Sequence, residues 1–396
     1  MITYPELILK SENPKMKIIN MKCHVVEIPL SKEFRVAHSN APLRSFPEYL
    51  VEVDTDEGIS GVGSCGFYQL LPNWDKYLET CVKPFLLEEI SDPCSIEKFV
   101  NHYRVKPFGV DISPRPSCVE LALWDIIGKK ANLPIYKLLG GTKNKIKAYA
   151  SVLEPYPLLT VKEWVKFVRD IYSEGFKAVK LHIGAQYPDP KNILDVVKAI
   201  RDDLGNNIEI MVDVMQAWLT QPYDFPAVLK LARGLEDYGV TWLEEPLPHI
   251  NNPDLSARLC NVTDIEIAGG GAMFGWPAYK NLLERDALDI VQPDVQFAGG
   301  ISEVRRIAFL AEVYGKRCIP HFFGSGIALA ATLHVCSLID SPYIEYPYHP
   351  PYITPESRDA MLQAPIKIDK NGYVDVPEGP GLGIKLKDSW KSYLCK

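Results

Sequence analysis

What this chain lacks narrows it first. It has no apolar run long enough to span a bilayer, and Met1-Ile2-Thr3-Tyr4-Pro5-Glu6 carries no signal-peptide pattern, so a cytoplasmic protein is expected. It lacks an excess of positive charge. Its 43 Lys and Arg against 50 Asp and Glu leave −7, which argues against a nucleic-acid or anionic-membrane partner. It lacks paired cysteines: the nine are an odd number with no CxxC, and they read as reduced thiols, mostly small core residues such as Cys23, Cys118, Cys318 and Cys336. No low-complexity linker interrupts the 396 residues, a length that accommodates one domain of barrel size and a smaller one.

What is present is a beat of short apolar runs, each closing on polar residues or glycine. They are Ala178 to His182, Ile210 to Asp213, Thr241 to Pro246, Ile265 to Gly271, Ile290 to Asp294, Cys318 to His321 and Tyr343 to Glu345. Helix-like sequence separates most of them, at spacings of roughly 25 to 30 residues. That rhythm predicts repeated strand-helix units and an α/β fold built as a parallel (β/α) barrel. In such a barrel the C-terminal strand ends share one mouth, so charges scattered in sequence gather in space. The run ending in Gly271 breaks the series, because a charge would continue it.

The first third reads as α+β. Ile18 to Ile28, Tyr49 to Val53 and Ile59 to Ser64 look like strands, with Thr55-Asp56-Glu57-Gly58 as a turn. Helical patterns follow at Trp74 to Phe85, Ile96 to Tyr103 and Ser117 to about Asn132, the last stopping before Pro134. Residues 1–140 are therefore expected to form a capping domain and 141–365 the barrel. The tail 366–396, with a hairpin signal at Asn371-Gly372, is expected to return to the cap.

Ala122-Leu123-Trp124-Asp125-Ile126-Ile127-Gly128-Lys129, then Pro134 and Leu138-Leu139-Gly140-Gly141, and the closing Gly379-Pro380-Gly381-Leu382-Gly383, resemble the enolase superfamily, mandelate racemase/muconate lactonizing branch. The resemblance runs from about Lys17 to Trp390. It implies a modified eight-stranded TIM-type barrel under an α+β cap, with the active site between them, and a homo-oligomer. It also implies a reaction class: removal of the proton α to a carboxylate, with Mg²⁺ holding the carboxylate through three acids on the third, fourth and fifth barrel strands.

Asp213 and Glu244 match the first two ligand positions, and Gly271 stands where the third belongs, so any Mg²⁺ should be held weakly. Glu266 is no substitute: it lies five residues back, roughly 16 Å along a strand and with opposite parity. His321 and Asp294 match the family's base and its orienting carboxylate, and Glu345 matches a group that hydrogen-bonds the substrate carboxylate when protonated. Lys180 and His182 share one strand face where relatives show Lys-x-Lys. The imidazole puts two-base racemisation in more doubt than one-base elimination. Met215 replaces a polar residue. Arg35, His38 and Arg44 fall in a loop that closes over substrate in relatives, and His249 follows the fourth strand near the mouth. His334 is expected to pack inside a helix. The expected substrate is a small carboxylate, a sugar acid, and the expected reaction its dehydration. The alternatives are a non-catalytic relative with an impaired metal site and, less favoured, a racemase or epimerase.

Overall fold

A computed structural model describes residues 16–37, 42–66, 73–104, 116–187, 189–219 and 221–395. The cap opens with an antiparallel sheet in the order β1-β2-β3, formed by Ile18–Phe34, Leu43–Thr55 and Ser60–Cys65. The turn between the last two is closed by the Thr55 hydroxyl donating to Ile59 O at 2.7 Å, with Gly58 at a φ of 76°. The helix Ser117–Ala131 packs on this sheet so tightly that a Cβ on Gly63 would lie 2.0 Å from Cys118 O. It ends with Asn132 in the left-handed region, and Leu133 N–H reaches back to Gly128 O, so the chain turns before Pro134.

Eight parallel strands follow. They are β4 Lys145–Val152, β5 Ala178–His182, β6 Glu209–Asp213, β7 Trp242–Glu244, β8 Glu266–Gly269, β9 Ile290–Val291, β10 Arg317–Cys318 and β11 Tyr343–Pro347, hydrogen-bonded in the order β10-β9-β8-β7-β6-β5-β4-β11. No ladder joins β10 to β11 among the described residues; the Phe322 N–H donating to Glu345 Oε2 at 2.9 Å spans that gap. Strand β4 has no counterpart among the runs read from sequence. Helices cover the outside, and sequence signals place them well: before Val161–Ser173, Thr160 and Glu163 exchange the two hydrogen bonds of a capping box.

The C-terminal tail serves both domains. β12, Tyr373–Asp375, pairs antiparallel with barrel strand β4 and not with the cap sheet. The rest of the tail reaches the cap at several points: Leu382 N–H donates to Asp125 Oδ1 at 2.9 Å, Gly381 bridges Pro134, the Trp390 ring lies edge-on to His24, Leu394 bridges Val26, and Cys395 N–H donates to Val25 O.

Cap and barrel are joined by two buried carboxylates. Glu48 on β2 accepts from Ser325 N and Ser325 Oγ at 2.7 and 2.6 Å, capping the barrel helix Gly326–Leu338 from the other domain. Glu120 does the same for Ile301–Val313, accepting Ile301 N and Ser302 N at 2.9 Å each. Burial pushes both carboxyls up to about 7, against the pull of these donors. The helix that Glu120 caps is preceded by Gly300, whose φ is 93° and where a Cβ would fall 2.0 Å from Glu120 Oε2.

Candidate active site

Strand parity builds the site. One inward layer of the barrel is apolar: Tyr149, Ala178, Met211, Trp242, Ala268, Ile290 and Ile319, with Tyr343 against them. Side chains on a strand alternate, so the residues two positions further along face the same way, one layer nearer the mouth. Those residues include Ser151, Lys180, Asp213, Glu244, Gln292, His321 and Glu345. The register sets His182 beside Asp213 and Asp213 beside Glu244.

Lys180 is fully buried, with its ammonium 2.5 Å from Glu244 Oε1 and 2.8 Å from Glu345 Oε1. Burial alone would lower its pKa, but Glu244, Glu345 and Asp213 together hold it well above the usual lysine range. His182 Nδ1 lies 2.8 Å from Val152 O, which only accepts, and Nε2 lies 3.1 Å from Asp213 Oδ2. Both ring nitrogens thus face acceptors, and both carry protons. Its pKa is accordingly raised: burial lowers it, and the Asp213 charge outweighs burial.

Glu345 is buried beside the same cations. Burial would raise it, but Lys180 and His321 hold it ionised, at about 2. Both its oxygens are occupied, Oε1 by Ser151 Oγ and Lys180, Oε2 by Phe322 N. It is placed as a counter-ion to Lys180.

His321 and Asp294 come together at 2.8 Å, Nδ1 to Oδ2. His321 keeps 19% of its side chain exposed, while Lys180, Asp294 and Glu345 keep 1% or less, so the imidazole is the part of this cluster that meets the opening. Burial lowers its proton affinity, but Glu345 and Asp294 outweigh burial and lift it to about 9.

The donor set does not fit a three-carboxylate Mg²⁺ cage. Asp213 accepts from Met215 N (2.8 Å) and faces His182, so the backbone at Met215 supplies the polar contact its side chain does not. Glu244 Oε2 accepts both Trp242 Nε1 (2.9 Å) and Gln292 Nε2 (2.8 Å), and Oε1 meets Lys180. Gly271 offers no oxygen from a side chain, and a Cβ there would sit 3.0 Å from the His321 ring. Glu266 pairs with Arg317 at the opposite end of the strands. Among the described residues no three His, Cys, Asp or Glu side chains are grouped to hold a metal.

The remaining candidates lie apart. Arg35 is exposed over the Tyr156 ring at 4.1 Å, and exposed Arg44 pairs with Glu33 at 2.7 Å. His38 lies outside the described residues. His249 is buried and not at the surface of the mouth, its Nδ1 3.3 Å from Leu247 O and its ring against Gly269. His334 is buried in its helix. Sequence reasoning missed Gln292, Trp242 and Ser151, which hold the acids in place. The two-residue step back from Asp294 and Glu244 would have found the first two.

Residues 163–390 match the family described as enolase C-terminal domain-like, and residues 34–140 match the mandelate racemase / muconate lactonizing enzyme N-terminal domain. The chain belongs to the enolase superfamily. Within it, the chain is 35% identical to an arabinonate dehydratase of Saccharolobus solfataricus, over 87% of this chain and 90% of that one. It is 30% identical to a D-galactarolactone cycloisomerase of Agrobacterium fabrum, over 94% and 97%. Among solved structures, a 3,6-anhydro-D-galactonate cycloisomerase from Zobellia galactanivorans superposes with a TM-score of 0.75 at 29% identity, covering 96% of this chain and 100% of that one.

Proposed function

We propose that this chain is a lyase that removes the proton α to the carboxylate of a sugar acid and expels the β-hydroxyl as water. The His321–Asp294 pair carries this reading. Asp294 accepts the Nδ1 proton, which leaves Nε2 of the neutral ring as the base at the partly exposed edge of the cluster. The α C–H bond breaks, its proton goes to Nε2, and its electron pair moves into the carboxylate as an enediolate. Collapse of the enediolate breaks the β C–O bond. The Nε2 proton leaves with the hydroxide, so one water and one enol are released and His321 returns to its starting state. Lys180 and His182 are the cations the chain itself brings to the mouth. No step is assigned to Mg²⁺, because the donor set does not fit the cage.

His182 has both ring nitrogens engaged by Val152 O and Asp213, which favours one-base elimination over racemisation. The names of the dehydratase and cycloisomerase relatives support the sugar-acid class. Gly271 favours the second reading, a relative that keeps the cleft without turnover.

The test is exchange of the α-proton with D₂O, followed by NMR across a library of sugar acids. Exchange is expected with at least one of them. His321→Asn should reduce it by ~10²–10⁴-fold, the usual worth of a general base. Equal exchange in both proteins would remove His321 from its role; none with any sugar acid would favour the second reading.

A further inference from the structure

Gln296 lies two residues past Asp294 and is fully buried. Its side-chain nitrogen is 3.2 and 3.4 Å from the two Asp294 oxygens and 3.1 Å from Phe323 O. Its side-chain oxygen accepts the Gly66 N–H at 2.6 Å. The orientation of the amide is fixed by its partners, since Gly66 N only donates and Phe323 O only accepts. Gly66 directly follows cap strand β3, so this one amide spans the two domains. Two glycines make room for it: a Cβ on Gly66 would lie 2.8 Å from Gln296 Oε1, and one on Gly324 2.9 Å. The Gln296 backbone N–H also donates to Asp294 Oδ1, at 2.7 Å. Asp294 is therefore gripped on one side by Gln296 and bonded on the other to His321 Nδ1.

We infer that Gln296 is a positioning residue that ties the Asp294 carboxylate to the cap backbone at Gly66, so that seating the cap orients the proton-transfer pair. The inference rests on the reading of His321 as base. A donor on Oδ1 draws charge from the carboxylate and holds its plane, and with it the direction in which His321 Nε2 points. A cap strand that shifts by a fraction of an ångström pulls Gln296 Oε1 with it. The carboxylate then turns, and the base turns with it. The coupling runs through one side chain and needs no contact between Gly66 and substrate.

The test uses isotope-labelled full-length protein, with the His321 ring signal assigned by its loss in His321→Asn. The two variants are Gln296→Met, which keeps the bulk and removes the side-chain bonds to Asp294, Phe323 O and Gly66 N, and Gly66→Ala, which pushes on the amide from the other domain. His321 is faced by Glu345 on β11, Asp294 after β9, Lys180 on β5 and Glu245 after β7, and neither variant alters these groups. With the donor gone, Asp294 holds the imidazolium more firmly. The His321 titration should move up by about one pH unit in Gln296→Met, a tenfold change in proton affinity, and in the same direction in Gly66→Ala. Thermal melting confirms that both stay folded. An unchanged titration in folded Gln296→Met overturns the positioning role, and a shift in Gln296→Met with none in folded Gly66→Ala overturns the tie to the cap. Lack of α-proton exchange in the unaltered protein would instead defeat the base reading, and the titration separates the two failures.

Discussion

At Gly271, a missing side chain and its neighbours act together. A restored acid starts with its Cβ 3.0 Å from the His321 ring, and Asp213 still faces His182. Gly271→Glu alone should therefore leave Mg²⁺ binding too weak for calorimetry, while Gly271→Glu with His182→Gln should bring it into range. Firm binding by the single variant would show that both histidines yield readily. The expectation from sequence alone was simpler, that the vacancy by itself sets affinity; the packing of His321 over Gly271 was not legible, since it joins residues from two strands. A second consequence concerns pH. Only neutral His321 accepts a proton, and its pKa is lifted to about 9. The α-proton exchange rate should rise about tenfold per pH unit from neutrality and level off above about 9. A plateau already at pH 7 would mean that bound substrate cancels the pull of Glu345.

At the scale of elements, the two carboxylates that cap helices across the domain boundary carry a sign that can be worked out. Glu48 and Glu120 have folded-state pKa values raised from 4.5 to about 7 by burial. Between those values the unfolded chain loses these protons and the folded chain keeps them. Their contribution is thus greatest below pH 4.5, falls as pH rises to about 7, and is flat beyond, by roughly 3 kcal/mol each. Glu48→Gln and Glu120→Gln keep an acceptor for the helix N–H groups and should flatten that slope, as read by denaturant unfolding at pH 4.5 and 8. An unaltered slope would mean the carboxyls ionise in place. Elements were unevenly legible. Strands that end in a charge stood out because the apolar run and its polar stop coincide. β4 did not, since its interior residues Tyr149 and Ser151 carry no charge to mark its mouth end. The partner of β12 was equally hidden, because three residues do not specify a neighbour. The ionised state of Glu345 depends on Lys180 and His321, which only the closed barrel brings to it.

For the whole molecule, the cap sheet belongs to two cores at once. Met21, Val51 and Val53 pack with the cap helices, while Val26, Ile28, Phe46 and Leu50 join the core that continues through the barrel. Burying both sets removes the apolar faces that would let the cap separate as an independent body. The barrel is held less evenly around its circumference. Seven of its neighbouring strand pairs share ladders, but among the described residues no ladder joins β10 to β11, where Phe322 N–H reaches Glu345. A ring of staves with one unlaced joint opens at that joint first. Amide hydrogen exchange should show it: the Phe322 amide should exchange sooner than the amides of β5 and β6, and it should slow when a carboxylate occupies the mouth. Uniform protection around all eight strands would argue against such a joint. The unlaced stave is also the one that leads to His321, so a joint that opened there would loosen the base from the side opposite its tie to the cap.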